Sequence, residues 1–227
     1  MQPVLEIRTS EEFTLWPVGA HEPYAFLPLS GSMDPADVGT AVLSLVEGND
    51  VDEEDDADDA DDAGGDDDGG PRAENGPVRP ADPLGALLHG LFVGEYLYAA
   101  GGFRVTDTAT GVTLVPGCCN GLEEWRDWLR VLDGDGYASF GHDPTPEARR
   151  EGETVRLTPD AGVDGAPVIE LSVTELRRLV AGAEADLVAF LALADTWAAD
   201  HLPDHREPLA AALARALDLA PEQRPEA

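Results

Sequence analysis

The spacing of apolar positions changes period several times along the chain, and each change predicts an element. Val4-Leu5-Glu6-Ile7-Arg8 and Glu12-Phe13-Thr14-Leu15-Trp16, separated by Thr9-Ser10-Glu11, read as short strands, and Tyr24 to Leu29 as a third. Asp34-Pro35 then starts a helix, with proline preset for the first turn and Val38, Val42, Leu45 and Val46 recurring at helical spacing. A second amphipathic helix enters through Asp82-Pro83, carries Leu84, Leu87, Leu88, Leu91 and Phe92 on one side, and gives way at Gly101-Gly102.

Period-two alternation returns in Phe103-Arg104-Val105-Thr106 and Val112-Thr113-Leu114-Val115, and the five residues between them, ending in Gly111, predict a hairpin. Asn120 with Glu123 reads as a capping box for a helix over 121–132, in which Leu122, Trp125, Trp128, Leu129 and Leu132 share one face. Asp133-Gly134-Asp135-Gly136 stops it. Thr154 to Thr158 and Val168 to Leu171 predict a second strand pair. Ser172 with Glu175 then caps a long helix over 173–200, whose apolar face runs from Leu176 through Leu187 and Phe190 to Trp197. Pro203 ends it, and a short helix follows over Pro208 to Leu217.

One stretch fits no period. Between Asp50 and Asp68 thirteen of nineteen residues are acidic and none is basic, so the segment has nothing to bury and much to repel. It predicts a disordered insertion over 49–81, completed by the Pro-punctuated run from Pro71 to Pro80. An Asp-Pro helix start on either side places the insertion in a helix-to-helix connection. Residues 1–48 are too few for a core of their own and read as part of the same domain as the body at 82–220, with a disordered tail at 221–227.

The formal charge of −32 changes the functional picture, because removing those thirteen charges still leaves −19 on the other 208 residues. A surface of that sign repels phosphate backbones, which disfavours DNA, RNA and anionic membranes as direct partners. All fourteen basic residues are Arg, a bias expected either from codon usage in a GC-rich bacterial genome or from a halophile. The first residues carry no basic-then-apolar signal pattern, no stretch reaches the length of a membrane span, and the only cysteines are adjacent, so a reducing, cytoplasmic setting is expected.

Four groups could carry chemistry. Cys118-Cys119 reads chiefly as a packed, inert pair, since adjacent side chains diverge and structural zinc sites space their thiolates more widely; a redox-sensitive thiol at a helix N-terminus is the alternative. His142-Asp143 joins an imidazole to a carboxylate, as a general base requires, but sequence neighbours rarely make that bond themselves and Asp143-Pro144 is a turn pair. Asp200-His201 and Asp204-His205 have metal-like spacing interrupted by Pro203. The acidic run of Asp52, Glu53, Glu54, Asp55, Asp56, Asp58, Asp59, Asp61 and Asp62 offers diffuse electrostatic attraction without the frame of an EF-hand. No phosphate-cradling loop with Lys is present, and neither a cofactor nor a metal is expected.

The run from Val115-Pro116-Gly117-Cys118-Cys119 through Gly121-Leu122-Glu123-Glu124-Trp125-Arg126-Asp127-Trp128 resembles uncharacterised proteins of GC-rich bacteria, including small immunity-like proteins, over residues 82–202. The resemblance implies no catalytic residue. The expected fold is α+β, with two hairpins forming an antiparallel sheet covered on one face by the helices at 121–132 and 173–200. The leading functional expectation is a non-catalytic cytoplasmic interaction protein, immunity- or inhibitor-like, whose acidic surface meets a basic protein. Its rivals are an enzyme using His142, Asp143 and Cys118, and a protein whose acidity serves solubility alone.

Overall fold

The computed structural model describes residues 1–7, 13–50 and 77–219, and the acidic run beyond Asp50 and the C-terminal tail lie outside them. Among the described residues eight strands and five α-helices follow in the order β1 (Gln2–Glu6), β2 (Phe26–Pro28), α1 (Pro35–Glu47), α2 (Pro83–Val93), β3 (Gly101–Thr106), β4 (Thr113–Leu114), α3 (Asp127–Asp133), β5 (Tyr137–Ser139), β6 (Glu147–Glu151), β7 (Thr154–Thr158), β8 (Ile169–Ser172), α4 (Val173–His201) and α5 (Arg206–Ala216). The class is α+β, as the periodicities predict.

The two expected hairpins do not share a sheet. β3 and β4 pair in register Val105 to Leu114 at one side of a sheet ordered β2-β1-β3-β4, whereas β7 and β8 belong to a second sheet ordered β5-β6-β7-β8. Both sheets are antiparallel throughout. β1 lies between β2 and β3, opposite residues about a hundred positions away, so the N-terminal segment is built into the interior of its sheet. The second sheet is a meander of consecutive strands whose inner positions, Ala138, Ala148, Val155, Leu157, Ile169 and Leu171, are buried.

Both sheets meet on α4. This helix spans ~44 Å at 1.5 Å per residue and contacts β1 of the first sheet, β7 and β8 of the second, and α1, α3 and α5. Its buried line of Leu176, Val180, Ala183, Leu187, Phe190, Ala194 and Trp197 follows the predicted face, and one apolar cluster runs from Leu5 to Leu217. Ser172 Oγ accepts from the Glu175 amide at 3.1 Å, the N-terminal half of the expected box.

The insertion point is visible from its two ends. Asn49, just beyond α1, donates through Nδ2 to the carbonyls of Leu45 (2.7 Å) and Tyr98 (2.8 Å) and accepts from the Tyr98 amide. Asp50 pairs with Arg79 at 2.7 Å, so the chain leaves and re-enters at one place. α2 presses against it there, since a Cβ on Gly90 would fall 2.0 Å from the Asn49 carbonyl oxygen.

Three further expectations are corrected. Phe13 to Trp16 is irregular instead of a strand, because the Trp16 indole turns inward, donates to Gly39 O at 2.9 Å and packs edge-on against Trp197. The helix over 121–132 is broken into a 3-10 turn at Leu122–Glu124 and the seven-residue α3. Its capping box does not form: Asn120 Nδ2 donates to Gly101 O at 2.7 Å, and Glu123 Oε2 accepts from the Ala99 amide at 2.9 Å. Both side chains bind the segment leading into β3, and tertiary pairing overrides the local cap. β5 and β6 escape the periodicity altogether, since β6 reads Glu-Ala-Arg-Arg-Glu and buries one small residue fully.

Candidate functional site

The segment after β4 and the segment after β5 run side by side. Gly117 donates to Phe140 O at 2.8 Å, Cys118 donates to His142 O at 2.6 Å, and His142 donates back to Cys118 O at 3.1 Å. The approach depends on glycine on each side: a Cβ on Gly117 would lie 2.3 Å from Pro144 O, and one on Gly141, whose φ is +100°, would lie 2.5 Å from Cys118 O. Trp128 stacked on Phe140 at 4.1 Å fixes one of these segments to the core.

This bridge gathers side chains that are far apart in sequence. Cys118 and Cys119 are both exposed, contrary to the packed reading, and their sulfurs lie 3.4 Å apart. The left-handed backbone of Cys119, at φ 63°, breaks the alternation that would send adjacent side chains apart. A ring nitrogen of His142 lies within 4.8 Å of both sulfurs. Asp143 Oδ2 sits 3.1 Å from His142 Nδ1, so these sequence neighbours do make the bond. The hydrogen bond from Cys118 holds the Cys119 thiol below its ordinary value, and His142 adds to this. The same sulfur-sulfur bond pushes Cys118 up, while Asp143, and after it Cys119, raises His142. Cys119 is therefore the more readily ionised thiol of the pair, facing an imidazole steadied by a carboxylate, an arrangement suited to nucleophilic attack or to ligation.

A second feature had no signal in the sequence. An open cleft of about 410 Å³ is lined by Glu95, Tyr96, Leu97, Tyr98, Glu123, Arg215 and Asp218. Tyr96 is 89% exposed at its mouth, and Tyr98 Oη donates to Asn120 O at 3.2 Å. Burial raises the Glu123 carboxyl above the usual carboxylate range, against the opposing bond from Ala99. Asp218 is paired with Arg126, and Arg215 reaches the carbonyls at the end of α2. The cleft joins the α2-β3 connection, the 3-10 turn and the end of α5, segments that only tertiary structure brings together.

The remaining candidates separate. His201 stacks on Trp197 at 4.7 Å with Nδ1 at 2.9 Å from Trp197 O, and His205 lies beside Phe92, so the aromatic core occupies both rings. Among the described residues Cys118, Cys119 and His142 form the only group of three or more potential metal ligands. The acidic run from Asp52 to Asp62 lies outside the described residues. Among those residues no helix is long and apolar enough to cross a membrane. Comparison of the chain with models of protein families, with curated proteins and with solved structures finds no match.

Proposed function

We propose that this is a non-catalytic interaction protein of the cytoplasm that binds a basic protein partner, in the manner of an immunity protein or inhibitor. The observation that carries the reading is the cleft at Tyr96. Three carboxylates, Glu95, Glu123 and Asp218, the last of them already holding Arg126, and two phenol rings stand against a single lining arginine. An aromatic face beside carboxylates is the chemistry that receives a guanidinium or ammonium group, by stacking over the ring and by charge-assisted hydrogen bonds. The overall charge of −32 supports the same reading by steering a cationic surface toward the protein.

The test is affinity capture on the full chain at two salt concentrations, with identification by mass spectrometry. One basic protein should be recovered, less of it at high salt, and Tyr96→Ala should weaken its binding by at least about tenfold, as expected for an aromatic anchor. Recovery indifferent to both salt and Tyr96 would sink the reading. A second reading, an enzyme using Cys118, His142 and Asp143, is favoured by the contacts among these residues and Cys119; turnover abolished by His142→Ala would support it.

A further inference from the structure

We propose that Cys118, Cys119 and His142 form a binding site for a zinc-class divalent cation, with a fourth position open to solvent. Around a tetrahedral zinc ion with ligands at ~2.3 Å (sulfur) and ~2.0 Å (nitrogen), two sulfurs stand about 3.8 Å apart and a sulfur and a nitrogen about 3.5 Å. The two sulfurs lie 3.4 Å apart, a few tenths of an ångström inside that spacing, and the imidazole nitrogen is within 4.8 Å of each. Closure requires a shift of about 1 Å in exposed side chains, with no movement of the core.

The backbone holds the three in place. The Cys118-His142 bridge fixes two ligands across paired segments, and the left-handed turn at Cys119 supplies the third. The donor set of two sulfurs and one imidazole selects a thiophilic ion over Ca²⁺ or Mg²⁺, which prefer oxygen and are left to the carboxylates elsewhere on the chain. Asp143 provides the outer partner that ligating histidines usually have. With Nδ1–H donated to its carboxylate, the neutral ring presents the lone pair on Nε2 and is restrained in orientation. Both cysteines bind as thiolates, and their protons pass to solvent on metal binding. All four side chains are exposed, so an ion enters without unfolding the protein and keeps a site for water or an exogenous ligand.

The experiment uses the full chain, reduced and freed of metal, in excess Mg²⁺ to occupy weak carboxylate sites. Zn²⁺ is titrated in competition with a chromophoric chelator, and Co²⁺ is added separately to read thiolate-to-metal charge transfer by absorption. One ion per chain and a charge-transfer band carrying the intensity of two thiolates are expected. Cys118→Ser, Cys119→Ser and His142→Ala should each weaken zinc binding more than Asp143→Asn, which should cost about 10–100-fold as an outer partner. Unchanged thermal melts of the metal-free variants verify that the fold is retained. The absence of a charge-transfer band, or zinc binding undiminished in the Cys118→Ser/Cys119→Ser double variant, would overturn the proposal.

Discussion

At the scale of single residues, Glu123 and Trp125 lie two positions apart in the chain's main departure from its predicted helix and make opposite contributions. Burial raises the Glu123 carboxyl, with the neighbouring Glu124 charge adding to it, so the folded value lies above the unfolded one. A group shifted this way contributes stability that is complete below the unfolded value, about 4.3 for Glu, and is lost as pH rises through the folded value. Glu123→Gln keeps an oxygen for the Ala99 amide and removes the charge. It should raise the thermal midpoint at pH 7 and leave it nearly unchanged near pH 4; an equal effect at both pH values would show that ionisation is not the cause. Trp125 is 2% exposed, stacks on Phe103 and donates to Leu217 O at 3.1 Å. Trp125→Ala should cost ~3–5 kcal/mol in denaturant unfolding, and a loss under about 1 kcal/mol would place the ring at a partner surface instead of the core. The inward face of Trp125 was legible from helical spacing. The fate of Glu123 was not, because Asn-x-x-Glu is the same string whether its partner is the next turn or a strand twenty residues upstream.

At the scale of elements, the junction of α1 with α2 shows what periodicity conveys and what it omits. The two Asp-Pro starts and the apolar faces behind them were readable, since proline and helical spacing act locally. The closeness of the helices was not, because it rests on Gly90 approaching the Asn49 carbonyl. Gly90→Ala tests it. In a helix interior alanine is favoured over glycine by ~1 kcal/mol, whereas forcing a methyl group into a backbone carbonyl costs ~1–3 kcal/mol. Net destabilisation is expected by chemical denaturation, and a neutral or stabilised protein would mean that α2 slides freely past the Asn49 clamp. β5 and β6 mark the other limit. Strands that bury an alanine and expose arginine and glutamate to solvent carry little alternation, and their pairing follows from neighbours already in the sheet.

At the scale of the whole molecule, the charge divides between the acidic run and the body. The ends of the run are already joined by Asn49, Asp50 and Arg79, so replacing residues 51–76 by a short Gly-Ser linker should leave the thermal midpoint within a few degrees, as loop-closure entropy changes only logarithmically with length. The remaining negative charge is concentrated by folding, and added chloride should raise the midpoint of both proteins by screening it. A salt response that vanishes with the deletion would show that the run packs against the domain. The candidate sites belong to this scale as well. Cys118 and His142 are separated by 23 residues, and the cleft draws on segments from Glu95 to Asp218, so their assembly depends on long-range pairing that no local pattern encodes.

The contact of α4 with both sheets has a consequence for how the protein opens. A helix that contacts β1 of one sheet and β7 and β8 of the other along its buried line of leucine, valine and phenylalanine removes a shared partner of both sheets when it detaches. α1 still rests on β1, and α3 on β5 and β6, but both sheets lose cover in the same event, and sub-global opening of one alone gains little. Native-state hydrogen exchange should accordingly give the central amides of α4, around Leu187, the same opening free energy as the inner amides of β3 and of β7. The protein should exchange its protected protons as one cooperative unit, although its strands are divided into two sheets.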